Sequence, residues 1–299
     1  MLKKLLRALL HLPVSFRKTH NPRLIMTLLV KNEADVLEQN LQFHKAMGVD
    51  GFIITDNNST DGTAAIIRKY AEKGWVLESI RETASGYEQK IWVDRMVMLA
   101  ITRHGADWII NADADEFWYS PSQNLKEEVK NVRCNVLTCK VVNMYPDENT
   151  PFSRWKQATK TVPASEDFDL SPFSIFGRYR GKVLHRACGY LQIAMGNHKV
   201  LMFSRWKKPS NITIYHYNFR GRDHFLRKMI NGGKELETHK NNHGGRHWKY
   251  FYQLYKEGRL SQEYDRVIGA SAYDELRRRG YIYDDSTIAD FFEKKGLDG

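Results

Sequence analysis

Cysteine is scarce in this chain: Cys134, Cys139 and Cys188 are the only three in 299 residues. Their number is odd and none shares C-x-x-C spacing with another, which argues against a disulfide framework or a structural zinc site and fits a reducing cytoplasm. No apolar run approaches the roughly 20 residues needed to span a bilayer. No small-residue cleavage site follows the leucine-rich start, so a secretory signal peptide is not expected. Low-complexity tracts and internal repeats are absent, as are helix-turn-helix, finger and RNA-binding signatures, so nucleic acid is not the expected partner. Acidic residues are in deficit, 35 against 46 Lys and Arg, which leaves a formal charge of +11 and favours an anionic partner. A hydrophobic fraction of 42% is that of an ordinary globular chain, long enough for one large α/β domain with appendages or for two small domains.

The amino terminus is patterned at the helical repeat. Leu2, Leu5, Leu6, Leu9, Leu10 and Leu12 fall on one face, with Lys3, Lys4, Arg7 and His11 on the other. Five bases and no acid precede Asn21. This is the pattern of a helix lying in an anionic membrane interface, with each base contributing roughly 1 kcal/mol. The alternative is a helix docked on the protein itself or on a partner subunit. Residues 1–20 are therefore expected to form a peripheral anchor on the inner face of the plasma membrane.

From Arg23 to Tyr70 the sequence reads as strand, helix, strand, helix. Leu24 to Val30 is a continuous apolar run suited to a strand buried on both faces. Asn32 is a candidate cap for a helix whose apolar face is Val36, Leu37, Leu41, Phe43 and Met47 and which stops at Gly48. Gly51 to Thr55 forms a second strand ending at Asp56, and a helix from about Thr63 to Glu72 stops at Gly74. A further apolar strand, Trp108-Ile109-Ile110-Asn111-Ala112, opens into Asp113-Ala114-Asp115-Glu116. Alternating strands and helices imply a parallel sheet, whose ligands sit beyond the carboxyl ends of the strands. Lys31-Asn32-Glu33, Asp56 and Asp113 are expected on that one edge. Alone, a D-x-D tripeptide is equally a solvated acidic turn. Carboxylates crowded this closely repel one another and favour a divalent cation between them.

Three blocks carry a resemblance: Leu29-Val30-Lys31-Asn32-Glu33, Thr55-Asp56-Asn57-Asn58-Ser59-Thr60-Asp61-Gly62-Thr63, and Asn111-Ala112-Asp113-Ala114-Asp115-Glu116-Phe117-Trp118. They resemble the blocks of family 2 glycosyltransferases, in particular the bacterial branch with an Asp-x-Asp-Glu-Phe-Trp block, over roughly residues 22–120. The resemblance implies a GT-A fold: a Rossmann-like, mostly parallel α/β sheet flanked by helices. It further implies a nucleotide-diphosphate sugar donor, with UDP favoured, a Mn²⁺ or Mg²⁺ ion, and an inverting mechanism. It places Asn32, Glu33, Asp56, Asn58, Asp61 and Asp113 at the nucleotide sugar, Asp56 accepting from the base, and Asp113 and Asp115 at the metal. Asn32 and Asp61 are equally plausible as helix caps. Glu116 is either a supporting contact or a surface acid, and Phe117 and Trp118 are expected in the core or a pocket wall.

The leaving diphosphate develops charge that must be offset as the glycosidic bond breaks, and oxygen ligands at a loop suit Mg²⁺ or Mn²⁺. A later histidine often completes such a site in GT-A enzymes, and His198 and His216 are the two candidates. Inversion also needs a carboxylate to take the acceptor's proton. Asp167 and Glu166 follow the acidic block as the family's base does, although their flanking residues depart from its pattern, and Asp147-Glu148 competes with them.

Basic residues gather from Arg178 to Lys208 and again at Arg220, Arg222, Arg227 and Lys228. They suit donor phosphates or an acidic glycolipid acceptor; a solvated face is the alternative. Asn231-Gly232-Gly233 is a candidate helix stop, while helical periodicity is also readable near Asp223 to Glu237, Trp248 to Glu257 and Ala270 to Arg279. The expected organisation is an anchor over 1–20, a catalytic domain over 21–220 (donor half to about 120, acceptor half after it) and a helical C-terminal appendage over 221–299. The expected activity is transfer of a sugar to a lipid-linked or cell-surface polysaccharide acceptor of lipopolysaccharide or capsule type. A sugar nucleotidyltransferase is the rival enzyme, but the Gly-rich basic loop it requires after the first strand is missing. A membrane-associated basic nucleic-acid-binding protein is the non-enzyme rival.

Overall fold

A computed structural model describes residues 21–83, 89–238 and 245–297. The amphipathic segment 1–20 lies outside the described residues. Among those described, no helix is long and apolar enough to cross a membrane.

In chain order the first half runs β1 (Leu24–Val30), α1 (Leu37–Ala46), β2 (Gly51–Asp56), α2 (Thr63–Glu72), β3 (Val76–Arg81), α3 (Gln89–Thr102), β4 (Trp108–Ala112), β5 (Glu116–Tyr119), α4 (Leu125–Val129) and β6 (Val136–Asn143). Then follow β7 (Gln157–Thr159), β8 (Lys182–Arg186), β9 (Tyr190–Ile193), β10 (Val200–Met202), β11 (Lys207–His216), α5 (Arg222–Thr238), α6 (Arg246–Lys256), α7 (Leu260–Ile268), α8 (Tyr273–Arg278), β12 (Ile282–Asp284) and α9 (Thr287–Lys295). Eight strands form one sheet in the order β3-β2-β1-β4-β8-β6-β11-β5. Pairing is parallel from β3 through β2 and β1 to β4, and antiparallel from β4 to β8 and from β8 to β6. This is the α/β architecture expected, here a mixed sheet flanked by helices, with helices toward the carboxyl terminus.

The central strands are nearly continuous apolar runs because both of their faces are covered. Leu24, Ile25, Met26 and Leu28 of β1, Phe52 to Ile54 of β2 and Trp108 to Ile110 of β4 are all buried, whereas the edge strand β3 is mostly half-buried or exposed. Thr27 Oγ1 donates to Asn111 Oδ1 (2.7 Å) and Asn111 Nδ2 to His185 Nε2 (3.0 Å). This polar chain ties β1, β4 and β8 together inside the core. Gly48 ends α1 at φ +91°, a left-handed conformation that favours glycine.

The described residues fall into two compact units, one made of those up to Val141 with Arg180–Ile214 and Leu297, the other of those within Val142–Tyr179 and Tyr215–Gly296. The second unit has its own aromatic core, in which Phe225 meets Phe251 edge-to-face at 5.0 Å and Phe219 at 5.1 Å. Within it β12 pairs antiparallel with β7. Two helices not legible in the sequence, α7 and α9, bury Leu260, Tyr264, Val267 and Ile268, and Ile288, Phe291 and Phe292. The segment read as one helix from Ala270 is a 3₁₀ turn over Ala270–Ala272 followed by α8.

Gly232-Gly233 does not stop a helix. Helix α5 runs through both glycines to Thr238, and both are buried. A Cβ on Gly232 would lie 2.7 Å from the Trp248 ring, and one on Gly233 would collide with Tyr252. The missing side chains are what let α6 pack so closely. Gly233→Ala would add about 1 kcal/mol of helix propensity on an exposed face, but here overpacking costs about 1–3 kcal/mol. Thermal denaturation should show a lowered Tm, and an unchanged or raised Tm would contradict the close packing.

Candidate functional site

The parallel register brings the three blocks to one edge of the sheet. Val30, at the end of β1, pairs with Asp56 at the end of β2, and Leu28 pairs with Ala112, the residue before Asp113. Asp56, Lys31 to Glu33 and Asp113 therefore follow the carboxyl ends of three adjacent parallel strands, the usual ligand edge of such sheets.

Two loops on this edge are braced against each other. Asn32 takes φ +54°, its Oδ1 accepts the Thr60 N–H (2.8 Å), and its own N–H donates to Ser59 Oγ (2.9 Å). It does not cap α1, which starts after Val36 with no side-chain cap. The Glu33 N–H donates to Thr63 Oγ1 (2.9 Å). Asp61 accepts from Thr63 N through one oxygen (2.9 Å) and from Ala34 N through the other (3.1 Å). Burial works to raise the Asp61 pKa, but the bonds from Thr63 and Ala34 outweigh it and hold the pKa below the usual value. Asn32 and Asp61 thus shape the loops, while Asn58, also at φ +54°, is exposed at their tip. Asp56 is buried and accepts from Ser59 N through Oδ1 (2.9 Å). On either side of it, Thr55 Oγ1 and Asn57 Nδ2 are buried without a hydrogen-bond partner among the described residues. Buried polar groups of this kind are normally paired, and a polar ligand at the strand ends would satisfy them.

The acidic loop is held from two sides. Helix α1 carries two polar residues one turn apart in its apolar face, Asn40 and His44, both fully buried. Asn40 Nδ2 donates to the carbonyls of Ala114 (2.8 Å) and Glu116 (3.0 Å), bracketing Asp115. The Trp118 N–H donates to His44 Nε2 (3.0 Å), so His44 carries its proton on Nδ1, which faces Asn40 O at 2.9 Å. From β8, Lys182 Nζ reaches Asp113 Oδ2 (2.6 Å) and Glu116 Oε1 (2.5 Å). Burial pulls the Lys182 pKa down, but the carboxylates of Asp113 and Glu116 more than reverse this, so its pKa is raised and it stays charged. Asp115 and Glu116 are buried, 3% and 1% exposed, with Phe117 and Trp118 in the core beside them. The sequence does not mark Asn40 and His44 as site residues, and it offers Lys182 only as one base of the run from Arg178 to Lys208 suited to donor phosphates. The interruption of an apolar helix face at positions 40 and 44 was the available signal.

Burial pushes the His44 pKa down to about 3 and that of His185 to about 4. Both fold as neutral bases, whereas in the unfolded chain each takes up a proton below its ordinary value. The unfolded state therefore binds more protons in acid, and stability is full above about pH 6.5 and lost as pH falls toward the folded values. Each histidine should contribute a slope of about 1.4 kcal/mol per pH unit between roughly pH 6 and 4. Thermal melts should show Tm falling from pH 7 to pH 5, less steeply in His44→Gln; equal slopes would argue against a neutral buried His44.

Of the two candidate histidines, His198 belongs to the same unit as Asp113, and His216 to the other. His198 Nδ1 lies 3.2 Å from Gly181 O. Burial lowers its pKa; Gly181 and Asp113 oppose this and Lys182 reinforces it. His216 Nδ1 lies 3.2 Å from Asn143 Oδ1, and its ring meets Tyr179. Among the described residues no three His, Cys, Asp or Glu side chains are gathered tightly enough to hold an ion by themselves. Asp113 and Asp115 are two carboxylates of one loop, and an ion of the Mg²⁺ or Mn²⁺ kind binds through one or two carboxylates and completes its shell with substrate phosphates and water. In the second unit Glu166 is held by Arg279 and by Tyr281 OH (3.0 Å), while Asp167 is exposed. Asp147 and Glu148, with Tyr145, Gln157 and Tyr273, line a cavity of about 700 Å³ in that unit.

Over 65 residues the chain is 37% identical to lipopolysaccharide core biosynthesis glycosyltransferase LpsC of Rhizobium meliloti (strain 1021), a match covering 21% of this chain and only 22% of that protein. The mannosyltransferase PcManGT from Pyrobaculum calidifontis, solved with GDP-Man and Mn²⁺, aligns over 98% of this chain and 87% of its own, at 14% identity and a TM-score of 0.43. Glucosyl-3-phosphoglycerate synthase from Mycobacterium tuberculosis, solved with Mn²⁺, UDP and glucosyl-3-phosphoglycerate, aligns over 41% of this chain and 44% of its own, at 17% identity and a TM-score of 0.29. The sequence model of one family runs from residue 27 to residue 251, well over half of the chain and across all three blocks of the strand edge. On that match, the chain belongs to glycosyltransferase family 92.

Proposed function

We propose that this glycosyltransferase moves a sugar from a nucleotide-diphosphate donor, a UDP-sugar by preference, to a lipid-linked or cell-surface polysaccharide acceptor, with inversion at the anomeric carbon. The observation that carries this reading is the meeting of Asp56 and the Asp113-Ala114-Asp115 loop on one strand edge, with Thr55 and Asn57 unpartnered beside Asp56. Asp56 would accept a hydrogen bond from the imide N–H of the base, and the two unpartnered atoms would be satisfied by the nucleoside. In this reading the three blocks act as their family 2 counterparts do. Asp113 and Asp115, with His198 as third ligand, would hold Mn²⁺ or Mg²⁺, which when bound would offset the charge developing on the diphosphate. Asn40, His44 and Lys182 position the loop before the donor arrives, so little reorganisation is needed at the moment of reaction.

Asp167 is proposed to take the proton from the acceptor hydroxyl. Its carboxylate is exposed, whereas that of Glu166 is held by Arg279 and Tyr281. The cavity beside Asp147 and Glu148 suits an acceptor sugar, since carboxylates and tyrosines bind hydroxyls well. The name of the Rhizobium relative supports an acceptor of lipopolysaccharide type, and residues 1–20 are proposed to hold the enzyme on the cytoplasmic face of the membrane. The test is a panel of nucleotide sugars assayed for diphosphate release with Mn²⁺ or with chelator. A UDP-sugar should be turned over only with the metal; equal release under chelation would remove the metal from the reading, and no release from any donor would remove the reading itself.

A further inference from the structure

Strand β10 breaks the rule that the outer face of a strand is polar. Val200 and Met202 are buried, and the alternate positions Leu201 and Phe203 are 50% and 57% exposed. Trp206, at the end of the same connection to β11, is 52% exposed. Among the described residues the other large apolar side chains left this open are Ile91 and Tyr255. Three such side chains within six residues make a patch rather than scatter.

The connection is built, not loose. The Phe203 N–H donates to Gly189 O (2.7 Å) and the Trp206 N–H to Asn135 Oδ1 (2.8 Å). Asn135 Nδ2 donates to Ser204 O, and the Asn135 N–H to Trp206 O (3.0 Å). Its backbone is fixed by bonds that do not involve the three apolar side chains, so folding does not explain why they are apolar.

Charge indicates what covers them. Lys199, Arg205, Lys207 and Lys208 are exposed around the patch, and Lys208 Nζ lies 5.5 Å from the Trp206 ring centre. No Asp or Glu occurs between Asp169 and Asp223. Tryptophan, phenylalanine and leucine framed by lysine and arginine are the residues that seat at a bilayer interface. Each base facing an anionic leaflet strengthens partition about fivefold. Nucleic acid would use the bases and the tryptophan but has no call for Leu201.

We propose that residues 199–208 form a docking surface for an anionic lipid bilayer, with Leu201, Phe203 and Trp206 entering the interface and Arg205, Lys207 and Lys208 meeting the headgroups. The surface belongs to a different stretch of the sequence from residues 1–20 and does not depend on the donor chemistry.

The test is cosedimentation of the full chain with phosphatidylcholine vesicles, with and without phosphatidylglycerol. Wild type should sediment only with the anionic vesicles. The triple variant Leu201→Ser, Phe203→Ser, Trp206→Ser should bind them about tenfold or more weakly, and Arg205→Gln, Lys207→Gln, Lys208→Gln should also weaken binding. Circular dichroism and donor hydrolysis serve as controls for folding. Bromine-labelled lipid should quench wild-type fluorescence more than that of Trp206→Phe. Undiminished vesicle binding by the triple variant, or equal quenching in Trp206→Phe, would overturn the proposal. A change of oligomeric state in the triple variant with vesicle binding intact would reassign the patch to contact between copies of this chain.

Discussion

Asp115→Ala is expected to lower donor turnover by roughly a thousandfold while leaving the fold in place. The two effects separate because Asn40 holds the carbonyls of Ala114 and Glu116, on either side of Asp115, and neither bond involves the Asp115 carboxylate. The loop therefore keeps its course when the acid is removed, and the loss falls on charge compensation at the diphosphate. Initial rates with a UDP-sugar and Mn²⁺ measure the first effect, and thermal melts the second. The variant should also lose any rise in Tm that Mn²⁺ with nucleotide gives the wild type, since a ligand stabilises only the state that binds it. Wild-type turnover in this variant would falsify the assignment of the acidic loop.

Lys182→Met should act on stability first. The lysine side chain is 5% exposed, and its ammonium lies 2.6 Å from Asp113 and 2.5 Å from Glu116, whose side chain is 2% exposed. Removing one partner of a buried ion pair strands the other charge and costs about 3–5 kcal/mol. Adding Glu116→Gln should recover part of that loss, because the stranded carboxylate is then neutral, and a double-mutant cycle on denaturant unfolding gives the coupling. Additive losses would show that the pair is not energetically coupled. The single variant should also gain more stability from Mn²⁺ than wild type does, its acidic loop having lost its internal cation. Equal stabilisation of the two would indicate that the ion binds elsewhere.

Much of this site was legible because its strands are buried on both faces. A strand covered on two sides must be apolar throughout, so β1, β2 and β4 stand out as continuous runs, and the polar residues at their ends mark the ligand edge in the sequence itself. Asp56 and Asp113 could be assigned to one edge because parallel strands joined by helices must all point the same way. The helix stop at Gly232-Gly233 failed for the opposite reason. A glycine pair is ambiguous until the neighbouring helix is known, and Trp248 and Tyr252 decide it here. Of the two readings of Asn32, the helix cap fails because its side chain bonds the next loop, 28 residues on, which local spacing does not reveal.

By itself the sequence determined the strand, helix, strand, helix order from Leu24 to Glu72 and the strand ending at Ala112, the edge on which the acids lie and the excess of basic charge, since each follows from local pattern: burial, periodicity and composition. Only the tertiary structure decided that Lys182 neutralises the acidic loop, that Asn40 and His44 support it from behind, and that Phe203 and Trp206 stay uncovered. Those facts depend on which residues meet across separations of many tens of positions, and a buried lysine or an exposed tryptophan has the same letter as one placed in the ordinary way.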